Sequence, residues 1–372
     1  MIKILLCSPY KGAVGGIQRW TNNIMKYYSQ NVNHNEFCID FYCLSRKASI
    51  VSDINLFKRI TYGILEYLIL INNFRKEFGK KKYDLVHIAS SGSFSLLKDI
   101  AMLIIIQRKS VKSVIHFRFG RIPDLYISKN WEYKLLMKVV RLADQVIVLD
   151  QTSYNVMINA RCTNVHLLPN PLSPEVNQII KLNSTTKRDF RKILFAGHHI
   201  ESKGIFELLD ACRTLNDVKV KLIGQVSDEM RLKIEKFLGN NTQWIEIAGE
   251  QNFENTIIEM LSAGIFVLPT YTEGFPNVIL ESMACACPII ASNVGAIPEM
   301  LNDTSLKKCG ICIEPKNVKQ LTTEINRMLN DTRFAEDCGV NARIRVNAVY
   351  SMPAVWNQMS HLWKTLVNEK IL

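Results

Sequence analysis

The sequence predicts an α/β protein built from two doubly wound parallel-sheet domains. Short apolar runs of four to seven residues alternate with longer periodic segments in both halves, the pattern of parallel strands joined by crossover helices. The chain has 372 residues, 48% hydrophobic and 22% charged, which is too long for one ordinary core. A polar stretch from about 172 to 190, "LSPEVNQIIKLNSTTKRDFR", carries Ser-Pro and Ser-Thr-Thr and reads as a linker between the halves.

Taken in order, "IKILLCS", "FCIDFYCL", "DLVHIAS", "SVIHFRF", "QVIVLD" and "NVHLLPN" read as the strands of the first domain, and "KILFAG", "VKLIG", "WIEIAG", "IFVLPT" and "PIIAS" as those of the second. The expected domains are 1–171 and 190–350. The last stretch, about 351–372, spaces Val355, Met359, Leu362 and Leu366 as an amphipathic helix that needs an apolar surface to rest on. Ligands of open parallel sheets bind at the carboxyl ends of strands near switch points. The segments to search are therefore "SPYKGAVGGIQRW", "HFRFGRIP", "GHHIESKG", "PTYTEGFPN" and "SNVGAIPE".

The ten cysteines are scattered and sit in apolar surroundings, so they read as reduced packing residues in a cytosolic protein and not as a disulfide framework. "MIKILLCSPY" does not read as a signal peptide. "CGIC" at Cys309–Cys312 lacks a second ligand pair at zinc spacing, and no metal is expected. The net charge of +12 is uneven: residues 1–171 hold 24 Lys+Arg against 11 Asp+Glu, net +13, and residues 172–372 hold 22 against 23, net −1. Basic clusters "RKEFGKKKYD" and "QRKSVKS" lie beside "GILEYLILINNF" and "AMLIIIQ", runs too short to span a bilayer. A basic face with apolar neighbours suits an anionic membrane surface, although solvated helix faces beside an ordinary core would look the same. No aromatic-interleaved basic motif suggests nucleic acid.

The chemistry concentrates in "IFVLPTYTEGFPNVILESMACA", which reads as strand, loop and helix, with Pro276 as the first helical residue. Such a helix start binds phosphate through free amides and the positive end of the macrodipole. Glu273 lies ahead of the helix and Glu281 in its second turn, roughly 10 Å or more apart. Carboxylates accept from paired hydroxyls, so a nucleotide sugar fits: sugar at Glu273, diphosphate on the amides, ribose at Glu281. An acidic surface loop and a dipole-stabilised helix glutamate are the plainer alternatives. In "FAGHHIESKGIFELL", Lys203 offers a point charge to phosphate and Gly204 permits close approach, with His198 and His199 as further donors or simply a strand end. "SPYKGAVGGIQRW" is a poor dinucleotide fingerprint, because its glycines fall at 12, 15 and 16 and Asp40 sits mid-strand. Gly15 and Gly16 more plausibly let backbone approach a ligand. "SVIHFRFGRIP" puts His116 and Arg118 on one strand face; His116 can orient a group or relay a proton and Arg118 can bind an acceptor or phosphate anion. His87 is a weaker candidate.

With these segments in this order, the chain resembles the family 4 retaining glycosyltransferases of the GT-B fold. The resemblance covers essentially the whole chain and is most specific in "GIFVLPTYTEGFPNVILESMACACPIIASNVGAIPEML", which holds the E-x7-E pair Glu273 and Glu281. Gly15-Gly16-Ile17, Lys203-Gly204, Asn170 and "CGICIEPKNVKQLTTEINRMLND" add to it. It implies two Rossmann-like domains facing across a cleft, the terminal helix joined to the first, a donor site in the second, an acceptor site in the first, and no metal or other cofactor. Glu273, Gly274, Phe275 and Pro276 would then contact the donor sugar, Asn277 and Val278 give amides to phosphate, Glu281 takes the ribose, and Lys203 neutralises the diphosphate. Glu273, His116 and Lys203 are the expected catalytic residues. Gly15, Gly16 and His198 complete the donor set.

Two departures stand out. His198 replaces the arginine usual after the glycine of the "FAG" strand, so Arg118, Arg19 or Lys11 would supply the missing charge unless His198 is protonated. The family's active-site histidine corresponds to His116 or to the position held by Arg118. The expected function is front-face retaining transfer of a hexose or N-acetylhexosamine, from a UDP-sugar in preference to GDP-mannose, to a lipid-linked or polysaccharide acceptor. The expected place is the cytoplasmic face of the membrane, in capsule or lipopolysaccharide synthesis. A soluble-acceptor sugar synthase or phosphorylase, a non-catalytic nucleotide-sugar or lipid-binding protein, and a Rossmann oxidoreductase are the alternatives.

Overall fold

A computed structural model describes residues 1–11, 15–33, 35–45, 56–240, 242–302 and 304–368, with side chains omitted for 56–64. Gly12 and residues 369–372 therefore lie outside the described residues. The chain divides into two compact units, Met1–Pro169 with Val355–Leu372, and Asn170–Ala354.

The first unit holds six strands: β1 (Ile2–Ser8), β2 (Phe37–Cys43), β3 (Leu85–Ser90), β4 (Lys112–Phe117), β5 (Gln145–Val148) and β6 (Val165–Leu167). They form one sheet in the order β2-β1-β3-β4-β5-β6, parallel throughout. The second unit holds β7 (Asp189–Ala196), β8 (Lys219–Ile223), β9 (Ile245–Gly249), β10 (Ala263–Leu268), β11 (Ile289–Ser292) and β12 (Ile311–Ile313), in the order β12-β11-β10-β7-β8-β9, again parallel. Central strands such as β3 and β10 are buried at every residue, as strands covered by helices on both faces must be. The two doubly wound parallel sheets expected from the apolar runs are present, with β12 as an addition. At three residues it was too short to stand out.

Strand order fixes where ligands can enter. It reverses between β1 and β3 in the first unit and between β7 and β10 in the second, so helices leave neighbouring strands toward opposite faces and open a crevice at their carboxyl ends.

The reading of 172–190 as a linker is corrected. Pro174–Leu182 is a helix with Pro174 in its first turn, and it buries Val176, Ile179 and Ile180. Those three lie at i, i+3 and i+4, one helical stripe, which the surrounding polar residues obscured. The second unit accordingly starts at Asn170, and β7 already begins at Asp189.

The final helix, Met352–Asn368, buries Val355, Met359, Leu362 and Leu366, together with Trp356 and Trp363. Within the first unit its two indoles pack on Phe37, with ring centroids 6.4 and 5.9 Å away, and Trp356 also meets Tyr27 and Tyr28. All ten cysteines are free thiols, and burial raises Cys7, Cys212 and Cys285 above the ordinary range. Among the described residues, no helix is long and apolar enough to cross a membrane.

Candidate functional site

In the second unit the loops leaving β7 and β10 meet across the switch point. After β7 the chain runs through Gly197, exposed His198 and buried His199 into a single 3-10 turn, Glu201–Lys203. Gly204 follows with φ +72° and starts the helix Ile205–Cys212. A Cβ at this position would stand 2.1 Å from the carbonyl oxygen of Pro269, which begins the loop after β10. Close backbone approach therefore draws the two loops together. Tyr271 N–H donates to Ser202 O at 2.8 Å and Thr270 Oγ1 donates to the same oxygen at 3.3 Å.

The result of this stitching is an ion pair between Lys203 Nζ and Glu273 Oε1, with side chains 22% and 17% exposed. The loop bearing Glu273 is held from behind as well. Ala296 N–H donates to Gly274 O at 2.9 Å, and Gly295, at φ +55°, leaves no room for a side chain because a Cβ would lie 2.3 Å from Glu273 O. Phe275 packs its ring against Tyr350 at 5.7 Å. Buried Asn170 donates through Nδ2 to Phe275 O and Asn277 Oδ1, both at 3.3 Å.

Pro276 is corrected from first helical residue to helix cap. Its backbone is extended at φ −74°, ψ 118°, and the helix runs Asn277–Ala284. The proline ring suits the helical φ, but its ψ turns the chain, so regular structure starts one residue later. No side chain caps this helix and no acidic residue stands in its first turn. The first-turn amides, with the positive end of the dipole, have the chemistry that suits an anion, and Lys203 is paired with Glu273 four residues before Asn277. Glu281 lies on the same helix and is 4% exposed.

His199 is 1% exposed, next to the ring of Phe195 at 5.9 Å, and desolvation lowers its pKa to about 4. It is a neutral wall residue. Exposed His198 stands at the mouth of the same strand end. Gly15 caps the helix Gly16–Asn31, and neither Gly15 nor Gly16 has an atom within 4 Å of where a Cβ would sit, so open space adjoins both.

In the first unit His87 on β3 pairs in register with Val114, and His116 on β4 with Ala89. The two histidines thus occupy one sheet face at diagonal positions. Their rings meet at His87 Nε2···His116 Nδ1, 3.3 Å, and Arg118 Nη1 lies 3.1 Å from His116 Nε2. Burial, then the Arg118 charge, lowers His87 to about 3 and His116 well below the usual imidazole value. The Arg118 guanidinium lies 4.5 Å above the Trp20 ring, and desolvation pulls it down to about 9, still cationic at neutral pH. Trp363, from the terminal helix, donates to His87 Nδ1 at 3.0 Å. Sequence reasoning missed Trp20 and Trp363, because a tryptophan on an amphipathic stripe carries no mark separating it from core. At the β1/β3 switch point a cavity of ≈ 530 Å³ is lined by Lys11, Tyr67, Ser91, Ser93, Phe94 and Lys98 among others. Among the described residues no group of three or more His, Cys, Asp or Glu could hold a metal ion.

Residues 177–345 match the model of the family glycosyl transferases group 1. The sequence is 25% identical over 248 residues to the capsular polysaccharide biosynthesis glycosyltransferase CapM of Staphylococcus aureus, a match covering 65% of this chain and 61% of CapM. The fold is that of sucrose-phosphate synthase from Thermosynechococcus elongatus, with TM-score 0.75 at 18% identity over 99% of this chain and 100% of that one. It is likewise that of Anabaena HepE, solved in complex with UDP, with TM-score 0.71 at 16% identity over 98% and 100%. Two six-stranded parallel sheets and their flanking helices give the GT-B glycosyltransferase architecture. The glycosyl transferases group 1 pattern thus falls within the second unit, over residues 177–345.

Proposed function

We propose that the protein transfers a hexosyl or N-acetylhexosaminyl unit from a nucleotide sugar to a lipid-linked or polysaccharide acceptor, with retention, in the synthesis of a surface polysaccharide. The observation that carries this reading is the Lys203–Glu273 pair at the β7/β10 switch point, beside the uncapped start of the helix Asn277–Ala284. An ammonium and free amides suit a diphosphate. A carboxylate one loop away suits sugar hydroxyls and the positive charge that grows on the sugar as the diphosphate leaves. Glu281 takes the ribose, and Gly274, Phe275 and Pro276 shape the sugar's seat. No second carboxylate is assigned to the opposite face of the sugar, so the acceptor attacks from the leaving-group side and the departing phosphate takes its proton, in contrast to the two-carboxylate route of retaining hydrolases. The UDP held by HepE favours a UDP-sugar, and CapM, a capsular polysaccharide enzyme, favours a polymer-building role.

A thermal-shift screen is expected to raise the melting temperature with UDP or a UDP-sugar more than with GDP-mannose, since a ligand bound only by the folded state stabilises it by RT ln(1 + [L]/Kd). Equal and negligible shifts across all nucleotide sugars would count against the site.

Membrane contact is proposed on a surface of the first unit. The helices Leu56–Lys80, Ser95–Gln107 and Trp131–Leu142 pack side by side. They leave exposed Leu65, Leu68 and Ile69, then Leu97, and finally Trp131, stacked on exposed Phe94 at 5.0 Å. Leu65, Leu68 and Ile69 form an i, i+3, i+4 stripe, and exposed Arg75, Lys76, Lys134 and Lys138 lie on the same helices. Apolar side chains inserted at the headgroup level, with cations above them, suit an anionic membrane. The protein is expected to float with anionic vesicles at low salt, to be largely released at about 0.5 M salt as screening shortens to a few ångströms, and to ignore neutral vesicles. Binding indifferent to both salt and lipid charge would rule this surface out.

A further inference from the structure

The histidine face of the first sheet holds four nitrogen-bearing side chains in series. Trp363 Nε1 stands 3.0 Å from His87 Nδ1, His87 Nε2 3.3 Å from His116 Nδ1, and His116 Nε2 3.1 Å from Arg118 Nη1. An indole N–H can only donate, so His87 Nδ1 accepts. A neutral imidazole has one N–H, which in His87 must then be on Nε2, from where it donates to His116 Nδ1. By the same count the proton of His116 is on Nε2. Both rings are neutral near pH 7, as their burial requires.

The count leaves one junction unmade. Arg118 also only donates, so its Nη1 faces His116 Nε2–H proton to proton. Trp363, His87 and His116 are each 0% exposed, and none can replace a lost partner with water. Arg118 is only half-buried and rests on the Trp20 ring. The mismatch therefore settles at the arginine and not inside the chain. Its Nε, too, finds no acceptor among the described residues.

We propose that Trp363 and His87 are positioning residues that hold His116 in the tautomer protonated on Nε2, so that His116 presents a hydrogen-bond donor, not a general base, to the substrate. The guanidinium of Arg118 lies 3.1 Å from that nitrogen and covers it, so the half-buried arginine must swing aside for a substrate oxygen to reach His116. A single substrate oxygen placed between His116 Nε2 and Arg118 accepts from both and relieves the mismatch. That the oxygen belongs to a glycosyl-transfer substrate rests on the function proposed above; the tautomer assignment does not.

Nitrogen-15 spectra of labelled histidine distinguish protonated from unprotonated ring nitrogens, with His116 assigned by the signal lost in His116→Gln. The wild-type protein is expected to show His116 protonated on Nε2. A wild-type ring protonated on Nδ1 overturns the proposal without need of any other variant. In Trp363→Phe the ring stays and the N–H goes, so His87 is free to reverse, Arg118 can donate to His116 Nε2, and the His116 signal should shift toward the Nδ1–H form. Transfer should fall about tenfold in kcat with donor KM unchanged, the scale of one hydrogen bond lost at the reacting centre. An unchanged tautomer in Trp363→Phe overturns the proposal. Arg118→Met is expected to leave the tautomer as it is, because a donor facing Nε2 opposes that proton, and a flip to Nδ1–H there would show that Trp363 and His87 do not hold it and sink the chain. The Nε2–H tautomer in a protein with no transferase activity would instead refute the proposed function and leave the positioning chain standing.

Discussion

Glu273→Ala should lower the rate of sugar transfer about 10²–10³-fold, the loss typical of one preorganised electrostatic group at a reacting centre. The side chain is mostly buried at the end of β10 and paired with Lys203. On the proposed mechanism the growing positive charge on the sugar then loses its facing carboxylate, and Lys203 is left mostly buried without its ion-pair partner. Lys203→Ala should cost a similar factor for the mirror reason, since the leaving diphosphate then keeps only amide donors. Because the two side chains act as a unit, the double variant should lie close to either single one and far from the product of the two losses. Initial rates of donor consumption and product formation check this. Full activity in Glu273→Ala would remove the basis of the proposed mechanism, and donor binding without turnover in the parent protein would point to the binding-protein alternative.

Gly204→Ala should destabilise the second unit by about 3 kcal/mol or more and weaken donor binding with it. At φ +72° an L side chain is strained, and its Cβ would enter the carbonyl of Pro269 at 2.1 Å. The neighbour is backbone at the root of the Glu273 loop, so relief requires the β7 and β10 loops to part. That movement carries Lys203 off Glu273. Gly16→Ala is the control: it is the first residue of the helix Gly16–Asn31, where an added Cβ meets nothing within 4 Å, and it should stabilise by about 0.4–1 kcal/mol by restricting the unfolded chain. Urea denaturation of the three proteins separates the outcomes, and equal stability of Gly204→Ala and wild type would contradict the close approach described.

What the sequence disclosed followed from how strongly each feature is encoded locally. Strands such as β3 and β10 are buried at every residue and stand out as unbroken apolar runs. Lys203, Gly204, Glu273 and Pro276 were conspicuous because charge, glycine and proline interrupt those runs at strand ends. Less visible was Pro174–Leu182, whose three buried residues are diluted by Asn, Gln and Lys. The three-residue β12 gave no pattern at all. The series from Trp363 to Arg118 was hidden for a different reason. Trp363 and His87 are 276 positions apart, and only the register of β3 with β4 and the docking of the last helix bring donor to acceptor.

The first unit is discontinuous in the chain: its sheet ends at Leu167, but Val355 onward completes it. During synthesis, then, the finished sheet, with Phe37 and His87 in it, waits for Trp356 and Trp363 while nearly 190 residues beyond Leu167 are made, roughly 10–40 s at ordinary ribosomal speed. The earliest-made lobe is the last to be finished, and a chain truncated at Ala354 would keep every residue of the second unit while the first lacked its closing helix, a vulnerable target for chaperones and proteases.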